Sequence, residues 1–228
     1  MITVHHLENS RSQRLLWLLE ELQHPYTVER YERDSKTMLA PPALKAVHPL
    51  GKSPVITDDA RTIAETGAII EYVLQRYGKD ADGKRLLTPE PDSDAWLDYT
   101  YYMHYAEGSL MPLLVMTLIF TQIPKSPMPF LVRPVAKGLC GKVRSSFLAP
   151  QIDTHLKMVE SHLANQPCFA GDTFTAADIQ MSFPLEAAAA RAGSMDRYPA
   201  IGAFLERIHA RPAYQRALTQ GGPYRILG

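Results

Sequence analysis

The sequence predicts an α/β domain followed by an all-helical one, and three observations carry that prediction. A short β-branched run at residues 2–6 gives way to leucines at helical spacing, and period-two alternation returns at residues 26–31 after a helix long enough for a parallel crossover. Beyond residue 92 no convincing strand pattern recurs. The first half reads βαβ, helix, β-hairpin, helix; the second reads as helices alone.

Each element has a local reason. Leu15, Leu16, Leu18, Leu19 and Leu22 make one apolar stripe over residues 12–22, and His24-Pro25 stops it. Tyr26-Thr27-Val28-Glu29-Arg30-Tyr31 alternates as a half-buried strand does. Pro41-Pro42 opens a short helix through Val47, residues 54–57 and 61–64 flank a turn at Asp58-Asp59, and residues 66–77 are helical again. Residues 79–91 hold Lys79-Asp80-Ala81-Asp82-Gly83-Lys84, Pro89 and Pro91 without an apolar period, so they read as a linker between domains at 1–78 and 92–228. In the second domain Trp96, Tyr99, Met103, Ala106, Leu110 and Leu113 mark a long helix that Pro112 is expected to kink. Pro124, Pro127, Pro129 and Pro134 imply an irregular connection before helices near residues 146–163, 175–192 and 200–210. Thr175 is expected to cap the second of these, with Asp178 returning a bond and Phe174 stapled on Ile179, a structural role that removes Asp178 from the catalytic candidates.

Composition narrows the function. Lys+Arg and Asp+Glu number 24 each, so there is no net field to hold nucleic acid or an anionic membrane, and neither partner is expected. The apolar stretch at residues 110–120 is far shorter than the roughly 20 residues of a membrane span and reads as a buried helix. Cys140 and Cys168 form no disulfide framework or redox pair, the N-terminus has no secretory pattern, and the eight histidines show no ligand spacing. A cytoplasmic protein without a metal is the expectation.

Four strings then stand in a telling order: Ser10-Arg11-Ser12-Gln13-Arg14-Leu15-Leu16-Trp17, His48-Pro49-Leu50-Gly51-Lys52-Ser53-Pro54-Val55, Ile63-Ala64-Glu65-Thr66-Gly67-Ala68-Ile69, and Gly171-Asp172 with Phe174-Thr175 and Ala177-Asp178. Over nearly the whole chain they resemble the soluble glutathione S-transferases, and within them the serine-type, theta-like group of bacteria and fungi. The resemblance implies a thioredoxin-like first domain, a helical second domain holding the electrophile, a homodimer, and glutathione as cosubstrate.

The chemistry explains the residue types. A thiol near 8.5 is only a few per cent thiolate at neutral pH, and lowering it by about 2 corresponds to roughly 2.7 kcal/mol. One hydrogen bond to a charged acceptor supplies about 1.5 to 3 kcal/mol and a helix N-terminus about 0.3 to 2, so one hydroxyl and one helix end suffice. Asn9, Ser10 and Ser12 lie where the first strand hands over to the first helix. By resemblance Ser10, four residues before Arg14, is the activating hydroxyl, with Ser12 second; on cap preferences alone Ser10 is a helix cap with Gln13 completing a capping box. The resemblance further implies a cis Pro54, main-chain bonds from Ser53 to the cysteinyl part of glutathione, and a carboxylate contact for Lys52. Glu65 and Thr66, at a helix start, suit the γ-glutamyl ammonium and carboxylate. Tyr101 and Tyr105 share one helix face and are offered for the electrophile pocket. Two other readings stay open: glutathione-dependent reduction of disulfides or peroxides, and a noncatalytic interaction module on the same fold.

Overall fold

The computed structural model describes residues 1–192 and 195–224, so residues 225–228 of the predicted second domain lie outside the described residues. Strand β1 (Ile2–Leu7) leads into helix α1 (Gln13–Glu21) and strand β2 (Tyr26–Tyr31), which pairs parallel to β1 with Val4 opposite Val28. Helix α2 (Pro42–Val47) crosses to strand β3 (Val55–Asp58), antiparallel to β1, and strand β4 (Arg61–Ala64) returns beside it before helix α3 (Thr66–Tyr77). The sheet order is β2-β1-β3-β4. This is the βαβ, helix, hairpin, helix order of the sequence.

The second half is helical: α4 (Asp94–Tyr105), α5 (Met111–Gln122), α6 (Arg133–Val143), α7 (Ala149–Asn165), α8 (Ala176–Ala192), α9 (Pro199–His209) and α10 (Pro212–Gly221). A π turn at Ala106–Leu110 joins α4 to α5. The disruption thus falls in the turn just before Pro112, whose missing N–H cannot close an ordinary helical bond. Two helices were not predicted. Pro134 and Pro212 sit in the first turns of α6 and α10, where a proline lacks only an N–H that has no helical partner anyway. A second correction concerns α5, which reads as buried yet buries only Met111 and Leu114 among its twelve residues.

One apolar core runs through both halves. Trp17 of α1 is fully buried, with Phe174 5.5 Å and Tyr214 5.0 Å away by ring centroid. Phe174 therefore clamps the second half onto α1. The start of α8 departs in detail from a reciprocal capping box: Asp178 accepts from the Thr175 N–H at 2.7 Å and the Thr175 hydroxyl at 3.1 Å, while the Asp178 N–H bonds the Thr175 carbonyl. The other carboxylate oxygen accepts from the Phe169 N–H at 2.9 Å. Burial outweighs these donors and raises the Asp178 carboxyl to about 6.

Candidate active site

The chain leaves β1 through Asn9, which takes a left-handed φ of 48°, a conformation asparagine tolerates well. The turn delivers Ser10 and Ser12 to the start of α1. Because β3 begins at Val55 opposite His5, the preceding Ser53-Pro54 bond, which is cis, lies beside the same turn. The three serines meet. Ser10 Oγ is 2.8 Å from Ser12 Oγ and 3.1 Å from Ser53 Oγ, and it accepts the Ser12 N–H at 3.3 Å. A cleft of about 480 Å³ opens over Ser10, with Asn9, Arg11, Lys52, Ser53 and Phe183 on its walls.

Beneath the serines lies a histidine. Ser12 Oγ is 2.9 Å from Nδ1 of buried His6, whose ring also bonds the Gly221 backbone, and burial pulls the His6 pKa down to about 4. A neutral ring that donates to the Gly221 carbonyl presents Nδ1 as an acceptor, so Ser12 donates to it. With its hydrogen spent there, Ser12 accepts from Ser10. Ser10 in turn accepts from Ser53 and from the Ser12 N–H. With that tautomer the hydroxyls run from Ser53 to Ser10 to Ser12 to His6, and the Leu7 carbonyl, 3.4 Å from Ser12 Oγ, is a longer second acceptor.

The α3 start is tied to the same turn through Arg14. This buried guanidinium donates to the Gln180 carbonyl at 2.6 Å, to Thr66 Oγ1 at 3.1 Å and to the Glu107 carboxylate. Arg11 also bonds Glu107, at 3.1 Å, and both arginines stand over the Phe183 ring. Glu65, exposed and at a left-handed φ of 72°, precedes Thr66 and the first turn of α3, whose leading N–H groups have no helical acceptor. Burial lowers the Arg14 pKa and the Glu107 carboxylate opposes that shift. Domain contact and site geometry thus share one ion pair.

The structure corrects three expectations. Ser12 is wholly buried beneath Ser10, whose hydroxyl it contacts, and does not line the cleft. The Ser10–Gln13 capping box does not form: the Ser10 hydroxyl accepts from Ser12, and both amide atoms of Gln13 are buried without a partner among the described residues. Tyr101 and Tyr105 do share a face, stacked 5.4 Å apart, but that face turns toward α7, where Tyr105 bonds His155 and Tyr101 reaches Met158. From the second half, Phe183 lines the cleft over Ser10, and Glu107 bonds Arg11 on the cleft wall. Sequence reading missed Phe183, Glu107 and the Ser53 hydroxyl because each arrives through pairing or packing of distant segments, and missed His6 because only the folded turn brings its ring to Ser12.

Comparisons with known proteins find relatives over most of the chain. The family model described as the glutathione S-transferase N-terminal domain matches residues 10–76, and that of the C-terminal domain matches residues 147–212. Glutathione S-transferase 3 of Schizosaccharomyces pombe is 36% identical over 215 residues, covering 93% of this chain and 85% of that protein. The chain belongs to the glutathione S-transferase family. Another member, glutathione S-transferase 1 of Saccharomyces cerevisiae, is 35% identical over 94% of this chain and 92% of its own length. Among solved structures, a glutathione S-transferase from Actinobacillus pleuropneumoniae superposes with a TM-score of 0.77 at 30% identity, over 99% of this chain and 95% of that one. The thioredoxin-like first half and helical second half are the glutathione S-transferase fold, and the chain is an enzyme of that family.

Proposed function

We propose that the protein is a serine-type glutathione transferase in which Ser10 holds the glutathione sulfur as a thiolate for attack on electrophilic small molecules. The observation that carries this reading is the Ser10 hydroxyl at the floor of the cleft, beside the cis Ser53-Pro54 bond and at the N-terminal end of α1. To act, Ser10 turns its hydrogen from Ser12 to the sulfur. That exchanges a neutral hydrogen bond, worth about 1 kcal/mol net, for one to a charged acceptor worth about 1.5–3, so the turn is favourable. Ser53 and the Ser12 N–H go on donating to the Ser10 oxygen. The thiol proton leaves to solvent, sulfur bonds to the electrophilic carbon, and the leaving group departs with its electron pair.

The remaining roles follow. The Ser53 main chain binds the cysteinyl unit, Lys52 faces a glutathione carboxylate, and Glu65 with the α3 N-terminus binds the γ-glutamyl end. Asn9 lines the rim. Phe183 supplies the apolar wall for the electrophile in place of Tyr101 and Tyr105. The enzyme works in the cytoplasm, in detoxification, as a homodimer, with exposed Leu97 on α4 contributing an apolar contact. Retention on immobilised glutathione and conjugation of an aryl halide test the proposal. Retention without conjugation, or disulfide reduction alone, contradicts it.

A further inference from the structure

The whole-chain charge balance conceals a local excess. Residues 108–152 contain Lys125, Arg133, Lys137, Lys142 and Arg144 and not one aspartate or glutamate. All five cations are exposed, and among the described residues none pairs with a carboxylate. Helix α6 packs against α5 and the short turns at Ile123–Lys125 and Arg144–Leu148, and none of these carries an acid.

The same region exposes apolar side chains that a water-facing surface normally hides. Phe130 and Leu131, at the tip of the α5–α6 connection, are 79% and 72% exposed; Val135 and Leu139 on α6 are 69% and 66% exposed. Val132, Val135, Leu139 and Val143 recur at helical spacing, so α6 carries an apolar stripe, yet of its residues only Cys140 is buried. Arg133, Lys137 and Arg144 lie on the other side of that helix. With Lys125 they ring a recess of about 330 Å³ floored by Phe120 and Cys140.

We propose that the α5–α6 tip and α6 form a peripheral docking surface for an anionic phospholipid bilayer. A helix with an apolar stripe on one side and lysine and arginine on the other is the pattern of a helix lying in a membrane interface, where apolar side chains enter the headgroup boundary and long cationic side chains reach toward anionic lipid. The apolar side chains protrude from a helix that buries little, and the recess behind them is ringed by cations, so the stripe itself offers no groove to a partner held by shape. A two-fold contact with a second copy through this patch would bring two like-charged clusters together. A bilayer needs neither groove nor twin.

The test is flotation of the full chain with phosphatidylcholine vesicles and with the same vesicles containing phosphatidylserine, at low and high salt. Binding to the anionic vesicles alone, released by salt, is expected. Lys125→Glu with Lys137→Glu should weaken it at least about tenfold, and Phe130→Ser with Leu131→Ser should weaken it at unchanged charge. Both variants should conjugate a soluble electrophile at the parent rate, which shows they are folded. The proposal is overturned if neither vesicle binds, if neutral vesicles bind equally, or if the variants bind as the parent does. It is overturned as well if light scattering shows that they lose a subunit contact, since the occupant is then a second copy.

Discussion

The hydroxyl of Ser12 lies 2.9 Å from Nδ1 of His6, and this contact sets the direction in which the Ser10 hydroxyl points. In the free protein that direction is inward. Ser12 therefore competes with sulfur for the Ser10 hydrogen, and the two serines have separable effects. Ser12→Ala is expected to destabilise the fold by about 1–3 kcal/mol, because Nδ1 loses its donor, without raising the pKa of bound glutathione. Denaturant midpoints and a pH–rate profile measure the two effects. A raised thiol pKa in Ser12→Ala would assign Ser12 the direct role.

His6 carries a pH dependence of definite sign. Its pKa falls from the ordinary 6.5 to about 4 in the folded chain, so the unfolded chain takes up the proton first. The associated stability is complete above pH 6.5 and is lost as pH falls toward 4, up to about 3 kcal/mol. Denaturation midpoints of wild type and His6→Gln should therefore differ in slope over this range. Parallel slopes would show that His6 does not titrate as described.

Asp178 has the opposite sign. With its carboxyl raised from 3.8 to about 6, the folded chain gains the proton first, and this contribution to stability grows as pH falls through 6. Asp178→Asn should remove that gain. Asp178→Ala, which strands the Phe169 and Thr175 N–H groups, should cost about 2–5 kcal/mol and leave the thiol pKa of the refolded enzyme unchanged. A large pKa change on titrating the bound thiol would move Asp178 into the chemistry.

Glu107→Gln tests the link between the two halves. It leaves the Arg14 guanidinium buried without its carboxylate, at a cost of about 2–4 kcal/mol, toward the lower end because Glu107 itself is partly exposed. As Arg14 also holds Thr66, the KM for glutathione should rise more than kcat falls. An unchanged KM would confine the ion pair to domain packing.

Much of this architecture was legible because its signals are local. β-Branched alternation, leucine periodicity and proline stops define β1, α1, β2 and α3, and the turn carrying Ser10 follows from them. Pro134 misled because a proline that ends one helix and a proline that opens the next look alike without the neighbouring fold. Residues 110–120 misled differently: apolarity on all sides reads as burial, whereas much of α5 faces outward. At the site, helical spacing puts Tyr101 and Tyr105 on one face but cannot say that the face meets α7. The β1–β3 register brings Ser53 to Ser10, and no string near either residue records it.

Titration of enzyme-bound glutathione by its thiolate ultraviolet absorbance, in wild type and Ser10→Ala, measures whether Ser10 holds the thiolate. The bound thiol is expected well below its ordinary value of about 8.5 in wild type and raised in Ser10→Ala by about 1 or more, with turnover falling tenfold or more. Equal titration curves for the two proteins would contradict it.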